Sequence, residues 1–200
     1  MQATEIDNAL GGRLPLLDPD ELTHDQQKLY NKLDDTLVEW AKKSGFQAKT
    51  NDDKLIGPFN PMLRSPRVAL GFLEALDAET KQTTLSEKVR QVIILTVGGV
   101  WQAAYELYAH AAVGKKAGLD EQTITTLAAG QTPSTLASDE RVAHEFTRHL
   151  TAEYRVPEDV YQQAIDTFEE EGVVNIIYLA GNYMSTWALL NAFAVPAPKE

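Results

Sequence analysis

The sequence contains no cysteine. That absence excludes disulfides, thiolate metal ligands and every reaction that depends on a thiol. Basic side chains are scarce too: 18 Lys and Arg face 29 Asp and Glu, for a formal charge of −11. Phosphate binding needs a clustered Lys/Arg field, so no nucleic-acid partner is expected. The phosphate-binding patterns GxxxxGK[ST] and GxGxxG are missing, as is the GxSxG nucleophile elbow. What is present is the composition of a folded protein. Hydrophobic residues are 44% and charged residues 24% of a 200-residue chain, long enough to bury an ordinary core.

MQATEIDNALGGRLPLLDPDE has no positive segment followed by an apolar one, so a cytoplasmic location is expected. From Gly172 to Pro198 no side chain is charged, which is long enough to span a bilayer. Asn175, Asn182, Ser185, Thr186 and Asn191 interrupt this run, and no basic anchors flank it. Amides are costly in hydrocarbon. A helix buried in a protein core or at a subunit contact is the expectation, with no membrane partner.

Helix signals follow one another along the chain, and the fold class read from them is all-α. Thr23-x-x-Gln26 is a capping box, followed by Leu29, Leu33, Leu37, Trp40 and Ala41 at helical spacing, with Gly45 as the stop. The stretch 47–56 is polar, and GPFNPMLRSP (57–66) is irregular up to Pro66, which starts a helix to Glu79. Thr84-x-x-Glu87 reads as a second capping box opening Lys88 to Val97. Gly98-Gly99 is expected to break that helix, with Val100 to Ala117 resuming it. Further helices are expected over 120–129, 139–154, 157–171 and 173–194. The apolar run VIIL (92–95) is kept as buried helix because its flanks are helical.

The chain also repeats itself weakly. RVALGFLEAL (67–76) resembles RVAHEFTRHL (141–150), and IILTVGGVWQAAYELYAHAA (93–112) can be laid on IIYLAGNYMSTWALLNAFAV (176–195). Two such matches in the same order indicate two copies of one helical unit packed together. The first copy carries Glu106 and His110 where the second has Leu189 and Phe193.

Glu106 and His110 stand four apart, on one helix face and within hydrogen-bonding reach. A carboxylate beside an imidazole in apolar surroundings can move a proton near neutral pH. The same spacing also fits a helix ion pair worth about 0.3–0.5 kcal/mol. Glu145 and His149 share it on a helix rich in Arg and Glu, and are read as a solvated face. HEFTRH (144–149) is one residue too long for the zinc-protease helix motif. Its two histidines point about 140° apart, so no metal site is assigned.

GPFNPMLRSP (57–66), LSEKVRQVIILTVGGVWQAAYELYAHAAVGKKAGL (85–119) and EGVVNIIYLAGNY (171–183) resemble the carboxymuconolactone decarboxylase family, within the alkylhydroperoxidase D-like superfamily. The most specific element is Tyr105-Glu106-x-x-x-His110, preceded by Trp101. The resemblance implies a carboxymuconolactone decarboxylase-like domain over 57–200, preceded by an N-terminal helical extension over 1–56, with an all-α duplicated fold and a homo-oligomer, often a trimer or hexamer. Its hydroperoxide-reducing branch uses Cys-x-x-Cys before a His and a Glu upstream. Alignment on His110 places Ala103 and Glu106 at the thiol positions and Gln91 at the upstream Glu. Peroxidase chemistry is therefore excluded.

The decarboxylase branch needs neither thiol nor cofactor, and the resemblance implies a lyase acting on a small carboxylated or lactone/carbonyl substrate. His110 would donate the proton and serve as oxyanion partner. Glu106 would set its tautomer or shuttle the proton itself. Trp101, Tyr105 and Phe59 would wall the substrate pocket, and Gln91 would orient the substrate, since a neutral amide cannot relay a proton. A non-catalytic oligomer of the same fold that binds a small ligand or serves as an accessory protein is the alternative.

Overall fold

Helix follows helix through residues 10–199, the part of the chain that the computed structural model describes, and no strand forms among them. The first nine residues of the N-terminal extension lie outside the described residues. Helix α1 (His24–Leu33) passes through a wider π-helical turn, Asp34–Val38, into α2 (Glu39–Ser44). A short α3 (Phe59–Met62) precedes α4 (Pro66–Gln82), α5 (Glu87–Trp101) and α6 (Ala104–Lys116). Then come α7 (Glu121–Ala128), α8 (Ser138–Arg148) with a second π-helical turn at His149–Glu153, and α9 (Glu158–Ala192).

Local chemistry accounts for most of these boundaries. The Thr23 backbone N–H donates to Gln26 Oε1 at 2.9 Å, half of the expected capping box. Asp120 Oδ1 accepts from the Thr123 N–H at 2.8 Å and opens α7. The expected box at Thr84 is displaced: Ser86 caps α5 by accepting from the Val89 N–H, while Thr84 Oγ1 accepts from Asn175 across the bundle.

Helix α5 is the centre of the molecule, in contact with α6, α7, α8 and α9. Val92, Ile93, Ile94, Leu95 and Val97 are all fully buried, because neighbours cover the helix on every side. The two sequence copies fall on α4 with α5–α6 and on α8 with α9. The extension does not stand apart from them: Leu29, Leu33, Ala41 and Phe46 belong to the same hydrophobic core.

Two helix breaks lie elsewhere than the sequence suggests. Gly98-Gly99 does not interrupt α5; the break comes at Gln102, in the left-handed region with φ 54°. The glycines serve close packing instead. A Cβ on Gly98 would stand 2.6 Å from the Trp187 indole of α9, and one on Gly99 would stand 2.5 Å from the Leu127 carbonyl. Gly98→Ala is expected to destabilise the protein by about 1–3 kcal/mol through overpacking, although alanine favours a helix by roughly 1 kcal/mol over glycine. A urea denaturation midpoint lower than wild type checks this. The other break falls at Glu169 (φ 58°, ψ 176°), just ahead of the expected one, and divides α9 in two.

The α9 helix is long and apolar enough to cross a membrane by length and composition. In the fold Val173, Ile176, Leu179, Ala180, Trp187 and Leu190 are buried in the core. Val174, Ile177 and Tyr178 remain exposed on its outer side.

Candidate functional site

Gly57 opens the GPFNP segment with φ 64°, and a Cβ there would meet the Tyr105 ring at 2.3 Å. Only glycine combines the left-handed backbone with that approach. The contact seats the Phe59 turn against the start of α6. Between them, and against α4, α5, α9 and the extension, lies a cavity of about 490 Å³. Leu37, Trp40, Phe46, Phe59, Met62, Phe72 and Tyr105 supply its apolar walls.

Glu106 and His110 both line this cavity and are only 5% and 3% exposed, so water scarcely competes for their hydrogen bonds. His110 Nε2 is 3.2 Å from Glu106 Oε2. The other ring nitrogen, Nδ1, is 2.8 Å from Gln91 Oε1 on α5. Gln91 Nε2 donates to Glu87 Oε1 at 2.9 Å, which fixes the amide with its oxygen toward the ring. An amide oxygen only accepts, so Nδ1 carries hydrogen and donates to Gln91. The Glu106–Nε2 contact then needs one proton to be a hydrogen bond, whichever partner holds it.

Two further aromatic groups bracket the imidazole. Tyr183 of α9 stands edge-on to His110 with ring centroids 5.0 Å apart, and Trp40 of α2 lies 6.4 Å away. Burial pushes the Tyr183 phenol upward, with the nearby Glu106 charge adding to it, so it keeps its proton. Burial does the same to Tyr105, whose hydroxyl donates to the Gln47 carbonyl at 2.7 Å. Arg90 also lines the cavity. Its guanidinium pairs with Glu79 and donates to Thr80 Oγ1 at 3.2 Å, so its charge is matched inside the fold.

The structure thus brings Glu106, His110, Gln91, Tyr105 and Phe59 to one cavity. Trp101 is not in its wall. It ends α5, its carbonyl accepts from Asn191 Nδ2, and the left-handed Gln102 turns the chain before α6 begins. Tyr183, Trp40 and Phe46 are in the wall without having been singled out for it. Trp40 belongs to a stripe that reads as simple packing, and Tyr183 closes the segment EGVVNIIYLAGNY. Their signal is aromatic identity alone.

Two of the three other histidines are engaged elsewhere. His144 is 2% exposed, between Thr96 Oγ1 (2.8 Å from Nδ1) and Thr132 Oγ1 (3.0 Å from Nε2). Thr96 spends its own hydrogen on the Val92 carbonyl, so it accepts from Nδ1–H. His149 pairs with Glu153 at 2.9 Å rather than with Glu145, which pairs with Arg148.

Burial holds His144 below its ordinary value of 6.5, with Arg148 and Arg141 adding to this and Glu145 opposing it. As pH falls through 6.5 the unfolded chain takes up a proton that the folded one resists, so stability declines until the folded value is reached. His144→Gln is therefore expected to lose less stability than wild type between about pH 7.5 and 5. Urea midpoints at the two pH values check this.

No family profile matches the sequence, and no curated protein sequence matches it. Solved structures do resemble the fold. An uncharacterized peroxidase-related protein from Ralstonia eutropha JMP134, described as an alkylhydroperoxidase AhpD core, superposes with a TM-score of 0.73 at 15% identity, over 94% of this chain and 93% of that one. A protein from Agrobacterium tumefaciens described as a putative antioxidant defence protein AhpD gives 0.65 at 20% identity, over 70% of this chain and 97% of that one. The debrominase Bmp8 in complex with 2,3,4-tribromopyrrole gives 0.68 at 12% identity, over 94% of each chain. This chain has the alkylhydroperoxidase D-like helical fold.

Proposed function

We propose that the protein is a cofactor-free lyase, similar to carboxymuconolactone decarboxylases, acting by proton transfer on a small carboxylated lactone. The observation that carries this reading is the buried Glu106–His110 contact inside the cavity, with Gln91 committing the far side of the ring. Gln91, not Glu106, sets the tautomer, and this assigns it to positioning the ring rather than the substrate. Glu106 becomes the group that passes a proton to carbon, with His110 behind it as the store.

The step balances without a cofactor. The bond from the ring to the carboxylate breaks, CO₂ leaves, and the electron pair moves into the unsaturated lactone as a dienolate. The Glu106–His110 pair then protonates carbon and recovers its proton from water. Apolar walls favour neutral CO₂ over the carboxylate it comes from. Arg90 is already bound to Glu79, which limits how far its charge offsets that preference. The test follows CO₂ release and ring-proton exchange on carboxylated unsaturated γ-lactones. Binding without either signal would favour the other reading, a non-catalytic small-ligand protein, which the aromatic walls also suit.

The proposal extends to a homo-oligomer. Val174, Ile177 and Tyr178 form an exposed apolar strip on α9 suited to a second copy.

A further inference from the structure

The geometry points to Tyr183 as the hydrogen-bond donor to the substrate oxygen that gains negative charge in the reaction. This rests on the proton-transfer reading above and supplies a part which that reading lacks. Electrons released by the breaking bond collect on the lactone carbonyl oxygen, and a donor aimed at that oxygen is commonly the largest single catalytic contribution.

His110, the expected oxyanion partner, is not free to act as one. Its Nδ1–H is given to Gln91, and Nε2 faces Glu106. Lys32 of α1 also lines the cavity without a partner among the described residues, but the donors deeper in the wall are engaged. Tyr105 donates to the Gln47 carbonyl, Thr186 donates to the Asn182 carbonyl, and Arg90 is held by Glu79 and Thr80. Trp40, at 38% exposure, faces competition from water.

Tyr183 differs from the engaged donors in being unpartnered, and it stands against the His110 ring. It lines the cavity beside His110, and its hydroxyl makes no hydrogen bond to any described residue. Tyr183 is half-buried, so its hydroxyl can exchange a water for a ligand oxygen when one binds. Burial and the Glu106 charge keep it protonated, so it enters the reaction as a donor. Its neighbour Glu106 protonates carbon, while Tyr183 holds the oxygen. The two tasks fall to adjacent groups on different helices.

Tyr183→Phe keeps the ring against His110 and removes only the hydroxyl. The expected result is a kcat for CO₂ release about 10²–10³ lower, with KM nearly unchanged and the melting temperature retained. A reading independent of turnover uses but-2-en-4-olide, an unsaturated γ-lactone with no carboxylate to lose. Bound to wild type, its carbonyl stretching frequency should fall relative to the Tyr183→Phe complex. Equal frequencies in the two proteins, or no binding to wild type, would overturn the assignment, as would a variant with full CO₂ release. A frequency shift in a wild type that releases no CO₂ would support the donor role and remove the decarboxylase reading.

Discussion

Glu106→Gln is expected to lower kcat for CO₂ release by about 10²- to 10⁴-fold, the range that a positioned acid–base group contributes. The substitution is close in shape, so KM and stability should change little. An amide N–H₂ can still donate to His110 Nε2, and the Nδ1 donor bond to Gln91 survives. What disappears is a group able to hold and release a proton. His110→Ala should lose turnover to a similar extent, and additionally lose stability, because it leaves Glu106 buried without its partner. The double variant should be scarcely slower than either single one, since two residues acting as a unit are not additive. Wild-type turnover in both single variants would refute the mechanism.

Trp187→Ala is expected to be the most destabilising substitution considered, at about 3–5 kcal/mol, the usual cost of emptying a large aromatic site in a core. Trp187 is completely buried, and its ring fills the space that Gly98 leaves open between α5 and α9. These two helices hold Gln91 and Tyr183, so the cavity loosens with the contact. Trp187→Phe should cost clearly less. It keeps an aromatic ring, and it removes an indole N–H that is buried with no partner among the described residues. Equilibrium urea denaturation of the three proteins checks the order. An alanine variant as stable as the phenylalanine one would show that the core closes around the gap.

The helices were largely legible in the sequence because their causes are local. Apolar spacing, caps such as Asp120 and stops such as Gly45 act within a few residues. Gly98-Gly99 misled because glycine has two uses. It can release the backbone, or it can admit a neighbour, and the neighbours here are Trp187 and the backbone around Leu127 and Gly130. The break at Gln102 has no comparable sequence mark, since glutamine in a left-handed conformation is held there by its surroundings. Its side chain donates to the carbonyls of Gly99 and Ala128. That turn also removed Trp101 from the candidate wall.

The missing cysteine settled, without any coordinates, that this fold cannot run thiol chemistry here, because no arrangement supplies an absent sulfur. The four-residue spacing likewise put Glu106 and His110 on one helix face within reach of each other, although Glu145 and His149 share that spacing and do not pair. Only the tertiary structure decided what the meeting is for. Gln91 reaches His110 from another helix, Tyr183 from a third, and Trp40 from the extension. Such contacts arise from how whole helices pack, and packing depends on all their side chains together rather than on any local pattern.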